Sequence, residues 1–337
     1  VYASLAVPMV SLLKSGQIGV FYGRLRGKLA AKRFDKRHPS SKPSVTALTY
    51  SHKFTLPAMP QISDKTYDLA ISFLTPHYFA RERVKAKKYA AWIHTDYTAL
   101  SFDRSAEFAM WREYDAICGV SEQASRSFRT VFPELSNQVQ TVENILPREL
   151  TTKQAEQPQT DMPSDGAVKI LSVGRFCDAK NFDNVPDICR RLMENGLDVK
   201  WYLIGYGGGE PLIRQRIAEA GMQERVIILG KKDNPYPYMQ ACDLYVQPSR
   251  YEGKAVTVRE AQLLGKPVVI TNYATSASQL EDGVDGVIVP MDNAGCAAGI
   301  AALLRAPARM QQLSENCAKR DYTNSAEVEK IYALMED

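Results

Sequence analysis

Glu252 and Glu260 stand eight residues apart in the run Val246-Gln-Pro-Ser-Arg-Tyr-Glu-Gly-Lys-Ala-Val-Thr-Val-Arg-Glu-Ala-Gln262. The segment before it, Cys242 to Pro248, reads as a short buried strand stopped by proline. Thr257 to Leu264 reads as a helix closed by Gly265, with Pro267 beyond. Glu252, Gly253, Lys254 and Ala255 then occupy the turn between strand and helix. A strand, a tight turn and a helix start present free backbone N–H groups and a positive dipole end to an anion. Along a helix rising ~1.5 Å per residue, two acids eight apart are separated by about 12 Å. They could grip the two ends of a long ligand whose middle is anionic.

Cations suited to that middle occur upstream. Val168 to Val173 is a strand ending at Gly174, with Arg175 next and Lys180 five residues on. Two cations and a helix dipole can offset the roughly two negative charges of a diphosphate without a metal. No Asp-x-Asp occurs in the chain, which argues against metal-held diphosphate chemistry. The run Val199–Gly207 is a strand into a turn carrying Gly205 and Gly207, and strand Val226–Gly230 exits into Lys231 and Lys232. Strand Lys88–His94 ends in His94-Thr-Asp-Tyr97. Ligands of open α/β sheets sit at the carboxyl ends of strands, which places His94 and Asp96 toward a ligand.

Positioning these residues requires alternating strands and helices, the signature of parallel sheets covered on both faces. In the first half, Tyr67–Phe73, Lys88–His94, Tyr114–Ser121 and Gln140–Pro147 read as strands, and Ser121 as the cap of a helix through Phe132. In the second, Lys266–Thr271 and Gly286–Pro290 complete the strand set, Glu210–Ala220 is an amphipathic helix, and Asp292 caps a helix through Leu304. Tyr236 and Tyr238 are expected to pack under their loop. Thr151 to Gly166 is polar and rich in Pro, Gln and Thr, as a hinge would be. Val1–Leu13 and much of the basic stretch 23–53 read as helical.

A chain of 337 residues suits two α/β domains. Hydrophobic residues make up 45% and charged residues 24%, and no apolar run approaches the ~20 residues of a bilayer span. Charge is uneven: residues 1–150 carry 21 Lys+Arg against 13 Asp+Glu, and the remainder 21 against 25. Between Lys14 and Lys53 the single acid is Asp35. Such a face suits anionic lipid headgroups, or else is a solvated surface. Nucleic acid is disfavoured because no recognition motif accompanies the charge. The six cysteines are scattered, without a CxxC pair, and read as reduced thiols of a cytoplasmic protein. The opening lacks a basic stretch of signal-peptide type.

Glu252-x7-Glu260 beside its turn, together with Gly174-Arg175 and Lys180, resembles the signature of the family-4 retaining glycosyltransferases; the likeness runs from about Asp68 to the C-terminus. It implies the GT-B fold, an α/β class with two Rossmann-like domains whose parallel sheets face a cleft. The boundaries would be an acceptor-side domain at 1–150, a linker at 151–166, a nucleotide-sugar domain at 167–320, and a C-terminal helix at 321–337 returning toward the first domain. His94-Thr-Asp96 is similar to the subgroup found in polysaccharide assembly, in which the histidine lies near the donor sugar and phosphate.

The resemblance also assigns roles. Glu252 would orient sugar hydroxyls and Glu260 the ribose, while Arg175 and Lys180 hold the diphosphate, aided by the amides of Gly253 to Ala255. Glu252, His94, Arg175 and Lys180 make up the expected catalytic set. Gly174, Gly205, Gly230, Lys231, Gly253, Lys254, Ala255 and Glu260 would line the nucleotide-sugar site, with Lys254 adding a phosphate contact. The donor would be a nucleoside diphosphate sugar, UDP-sugar favoured over GDP-sugar, and no cofactor or metal is implied. The acceptor would be a glycan or polyprenyl-linked hydroxyl at the inner membrane face, reached through the basic N-terminal region. One departure stands out: residues 1–60 show no opening strand, Gly-rich loop and helix, so the chain is expected to begin inside the first domain. That absence favours a second reading, a non-catalytic GT-B partner or truncated sugar-nucleotide-binding protein. An epimerase would need more acids and histidines near the ligand than the four histidines supply, and no pyridoxal-phosphate lysine motif suggests a phosphorylase.

Overall fold

The computed structural model describes residues 8–74, 76–159 and 161–336. The chain divides into two compact units: Val1–Asn144 with Ala326–Asp337, and Ile145–Ser325. Each is built on a parallel sheet, the arrangement expected when apolar strands alternate with helices.

In the first unit, β1 (Thr66–Ser72), β2 (Lys85–Ile93), β3 (Ala116–Gly119) and β4 (Val139–Thr141) lie side by side in chain order. Ala90, Ala91, Trp92 and Ile93 of β2 are all buried, as a central strand covered on both faces must be. Trp111, Tyr114, Phe128 and Phe132 pack one face. The other holds Trp92, Cys118 and Val142, covered by Ile331 and Leu334 of the helix Glu327–Glu336. Ser121 caps the helix Glu122–Val131 by accepting from the Ala124 N–H at 3.2 Å. The strand expected over 140–147 pairs only through Thr141. Beyond it the chain leaves the sheet, and Leu146 N–H instead donates to Thr323 O at 2.8 Å. Of the helix expected over 1–13, Met9–Lys14 is helical, and residues 1–7 lie outside the described residues. The basic stretch forms the helices Ile18–Arg37 and Thr46–Thr55. They approach so closely that a Cβ on Gly23 would lie 2.5 Å from Phe54 O, and one on Gly27 2.7 Å from Ser51 Cα.

In the second unit, β5 (Val168–Val173), β6 (Val199–Ile204), β7 (Val226–Gly230), β8 (Leu244–Gln247), β9 (Val268–Thr271) and β10 (Val287–Val289) form a sheet ordered β10-β9-β8-β5-β6-β7. The chain starts at β5, travels outward through β6 and β7, then returns to the other side of β5. The direction of winding therefore reverses between β5 and β8, where such sheets leave a crevice at their carboxyl ends. Residues 151–166, expected as a linker, fall inside this unit. Arg148–Ala155 is a helix, and Met162 is buried in the core with Tyr202 and Tyr238.

Gly205 and Gly207, both at φ +153°, let the β6 exit lie against the β5 exit. A Cβ at 205 would sit 1.8 Å from Gly174 O, and one at 207 2.5 Å from Phe176 O. Backbone cannot swing aside as a side chain can. Gly205→Ala is therefore expected to destabilise the protein by at least roughly 2 kcal/mol, measured by urea unfolding. Gly208→Ala, with nothing within 4 Å of its Cβ, should stay within about 0.5 kcal/mol of the parent.

Candidate active site

The loops leaving β5 and β8 meet at the reversal point. The turn Asp178–Lys180 follows β5 and closes on Asn181, held at φ 59°, a left-handed conformation that asparagine tolerates better than most residues. Asn181 is buried, and its Nδ2 donates to Pro248 O at 2.9 Å, tying the first loop to the second. Arg250 makes the second tie. Its N–H donates to Ala179 O at 2.9 Å, and its guanidinium forks onto Asp183 at 3.0 and 2.7 Å.

Between these ties Lys180 Nζ donates to Glu252 Oε1 at 2.5 Å. Their side chains keep only 17% and 11% of their exposure, so each charge largely relies on the other for the solvation it has lost. Glu252 is further braced by a chain of hydroxyls and amides. Ser249 Oγ donates to Glu252 Oε1 at 2.6 Å, Gln247 Nε2 to Ser249 Oγ at 2.9 Å, and Tyr245 OH to Gln247 Oε1 at 2.9 Å. Thr275 Oγ1 donates to Glu252 O at 2.8 Å. A carboxylate fixed this firmly presents its second oxygen, Oε2, in a defined direction, as recognition of a hydroxyl requires.

The remaining expected residues of this unit are less uniformly placed. Gly174 faces the Lys180 stem, where a Cβ would come within 3.1 Å of its Cε. Arg175 is exposed, and its side chain makes no hydrogen bond or ion pair among the described residues. Gly205 N–H donates to Gly230 O at 2.9 Å, joining the β6 and β7 exits. Lys231 pairs with Asp233 at 3.0 Å and Lys232 with Asp161 at 2.5 Å, so neither is an uncommitted cation.

Two expectations change. Glu252 lies in the loop and the helix begins only at Val256, so the 12 Å spacing of a continuous helix does not apply to Glu252 and Glu260. Ala255 is buried, and its N–H donates to Gln279 Oε1 at 2.7 Å while Gln279 Nε2 donates back to Ala255 O at 3.3 Å. That amide is committed, because a glutamine at the end of the next helix, Ser276–Gln279, matches both polar groups of the cap residue. Among the described residues, the N–H groups of Gly253, Val256 and Thr257 make no hydrogen bond. Glu260 accepts from Tyr236 OH at 2.9 Å, and burial raises its carboxyl pKa above the ordinary value.

In the first unit, His94 follows β2 and its ring stands edge-on to Phe73 at 4.5 Å; partial burial lowers its pKa. Asp96 caps the next turn, accepting from Thr98 N–H at 2.8 Å and Thr98 Oγ1 at 2.6 Å, so it is occupied locally. His77 is fully buried against Trp111, its Nδ1 at 2.7 Å from Ser72 Oγ. A cavity of about 540 Å³ lies against β1, lined by Met59, Ile71, Ser72, Phe73 and Phe79 among others. None of the sequence-nominated site residues lines it, and its walls are mainly apolar, so size alone does not mark the chemistry.

Arg250, Asp183, Asn181 and Gln279 escaped the sequence reading. Their partners are distant in the chain, and Asn181 alone left a trace, as a turn-former beside Lys180.

Residues 153–320 match the family model described as Glycosyl transferases group 1. This is a group 1 glycosyltransferase domain. Its relatives include the amylovoran biosynthesis glycosyltransferase AmsK of Erwinia amylovora, 28% identical over 141 residues, covering 40% of this chain and 35% of that one. Another is an N-acetylgalactosaminyltransferase of Campylobacter jejuni acting on a diphospho-undecaprenol substrate, 32% identical over 125 residues, covering 37% and 33%. The chain thus matches about a third of those relatives' lengths. Among solved structures, Anabaena HepE in complex with UDP aligns with a TM-score of 0.62 at 18% identity, covering 77% of this chain and 73% of that one. A Rickettsia africae glycosyltransferase aligns at 0.59 and 13% identity, covering 94% and 81%. The glycosyltransferase domain and the four-stranded unit together give the chain the GT-B fold class. Among the described residues, no group of His, Cys, Asp and Glu is arranged to hold a metal.

Burial holds the His77 pKa down to about 3, with the charges of His94 and His52 adding to the effect, against 6.5 when exposed. Between those values the unfolded chain binds a proton that the folded chain refuses, so folding is weakened as pH falls. Stability is expected to be fully present above pH ~6.5 and to fall below it by up to ~1.4 kcal/mol per pH unit. Urea unfolding at pH 7, 6 and 5 should show this slope, and His77→Gln should flatten it.

Proposed function

We propose that the chain is a retaining glycosyltransferase that moves a sugar from a nucleoside diphosphate sugar to a hydroxyl of a glycan or polyprenyl-linked acceptor in cell-surface polysaccharide synthesis. The observation that carries this reading is the Lys180–Glu252 contact at the β5/β8 reversal of a group 1 domain. A cation and a carboxylate held together there are poised for a ligand that has an anionic centre beside a hydroxylated ring. An arriving diphosphate takes over Lys180, and sugar hydroxyls take over Glu252, so both charges exchange one partner for another. Arg175, unpaired and at the β5 exit, adds the second cation. The N–H groups of Gly253, Val256 and Thr257, at the start of the helix Val256–Leu263, supply donors and a positive dipole end. Glu260 meets the ribose by exchanging the Tyr236 OH for a ribose hydroxyl.

In the reaction the bond from the anomeric carbon to the diphosphate oxygen lengthens, and negative charge grows on the leaving group while the sugar becomes oxocarbenium-like. Lys180 and Arg175 stabilise the leaving oxygen's charge, which is the larger part of the catalysis in this scheme. The acceptor hydroxyl attacks from the face the diphosphate vacates, its proton passing to the departing phosphate oxygen; retention of configuration follows from that same-face path. His94, exposed at the end of β2, keeps the hydrogen-bonding role that the resemblance gives it. A UDP-sugar is the favoured donor, consistent with the UDP complex of Anabaena HepE.

Glu252→Gln and Lys180→Ala should each lower turnover by at least about 100-fold in variants whose circular dichroism matches the parent. Near-normal turnover would remove these two residues from the mechanism. Donor class is read separately: at ~100 times its dissociation constant a bound nucleotide adds about 2.7 kcal/mol of stability. UDP should raise the melting temperature more than GDP, and equal or absent shifts would contradict the donor assignment.

A further inference from the structure

The helix Ile18–Arg37 has two unlike faces. Val20, Gly23, Arg24, Gly27 and Ala31 are buried, and the glycines seat it against the helix Thr46–Thr55. On the other side Ile18, Tyr22, Leu25 and Leu29 repeat at i, i+4, i+7 and i+11, a straight stripe on a helix of 3.6 residues per turn. All four are open, with exposures of 57%, 58%, 39% and 49%. The short helix before it adds Val10 and Leu13, also exposed. Four large apolar side chains in one row are an interaction surface rather than scattered exposure.

The charges beside the row say what kind. Lys28, Lys32 and Arg33 flank the stripe, and Lys36 continues its line two turns beyond Leu29. All four are exposed, and none forms an ion pair among the described residues. From Lys14 to Lys53 the single acid is Asp35, which is occupied by Ser44 and Thr46 hydroxyls at 2.9 Å. An apolar ridge edged by uncompensated cations matches the boundary of a bilayer whose headgroups are anionic: side chains of the ridge enter the acyl boundary, and the cations meet phosphate. A nucleic acid would satisfy the cations and leave the ridge in water. Among the described residues no helix is long and apolar enough to cross a membrane, so this surface would lie on the bilayer.

We infer that the exposed face of Ile18–Arg37 is a docking surface for anionic lipid bilayers, seating the first unit on the membrane. The inference rests on the first unit alone and is independent of the transferase reading, because lipid binding is measured without donor or acceptor.

The test is flotation of the full chain with vesicles of 30% phosphatidylglycerol in phosphatidylcholine, and with vesicles of phosphatidylcholine alone. Binding to the anionic vesicles is expected to be at least about 100-fold tighter and to weaken in 1 M salt as charges are screened. The combined change Leu25→Asp and Leu29→Asp, or the combined change Lys28→Gln, Lys32→Gln, Arg33→Gln and Lys36→Gln, should each reduce it at least tenfold. These side chains are exposed, so circular dichroism and the melting temperature should hold. Equal binding to both vesicle types, no binding to either, or binding indifferent to both sets of changes would overturn the inference. So would a dimer in sedimentation that the aspartates dissociate, which would assign the ridge to a second copy, or binding to duplex DNA as tight as to anionic vesicles. Should a variant fold poorly, the vesicle and salt comparison on the unmodified chain still decides.

Discussion

A lysine and a glutamate at 2.5 Å, both mostly withdrawn from water, impose a demanding condition on the backbone around them. Removing either would leave a desolvated charge without its counterpart, which typically costs several kcal/mol. The second unit meets the condition by anchoring both loops on either side of the pair. Asn181 holds the first loop to Pro248 O, Arg250 returns the second to Ala179 and Asp183, and Ser249 supplies Glu252 with another donor. The glycines at 205 and 207 then allow the β5 and β6 exits to converge at backbone contact distance. The ion pair is a product of sheet order, since only the return of the chain to β8 brings residue 252 beside residue 180.

Much of this was legible before any coordinates. Apolar runs bounded by glycine and proline located the ten described strands, since buried parallel strands must be continuously hydrophobic. Ser121 and Asp292 announced their helices because cap residues must accept a hydrogen bond from the first turn, and both do so. Lys180 and Glu252 stood out because Gly174-Arg175 with Lys180, and Glu252-x7-Glu260, each follow an expected strand.

What the sequence hid follows from chemistry between residues far apart in the chain. Nothing near Ala255 reveals that Gln279 will occupy its N–H. Nothing near Arg250 reveals that Asp183 waits 67 positions upstream. The polar stretch 151–166 looked like a hinge on composition, yet Met162 is drawn into a core and Asp161 accepts from Tyr238 OH at 2.9 Å. Composition reports how a segment meets water on average, whereas one well-placed methionine can decide which side of a boundary it takes. The apolar row on Ile18–Arg37 was likewise masked by the lysines interleaved with it, and became visible only once the glycine face was seen to be buried.

The helix Glu327–Glu336 has a consequence for biogenesis. Its Ile331 and Leu334 cover Trp92 and Cys118, whose strands are made some two hundred residues earlier. A nascent chain leaving the ribosome would thus carry this sheet with one side uncovered until residues 331 and 334 have been made. The glycosyltransferase domain, whose residues are consecutive in the chain, suffers no such delay. Of these two units, the one begun earlier in synthesis is then completed after the other.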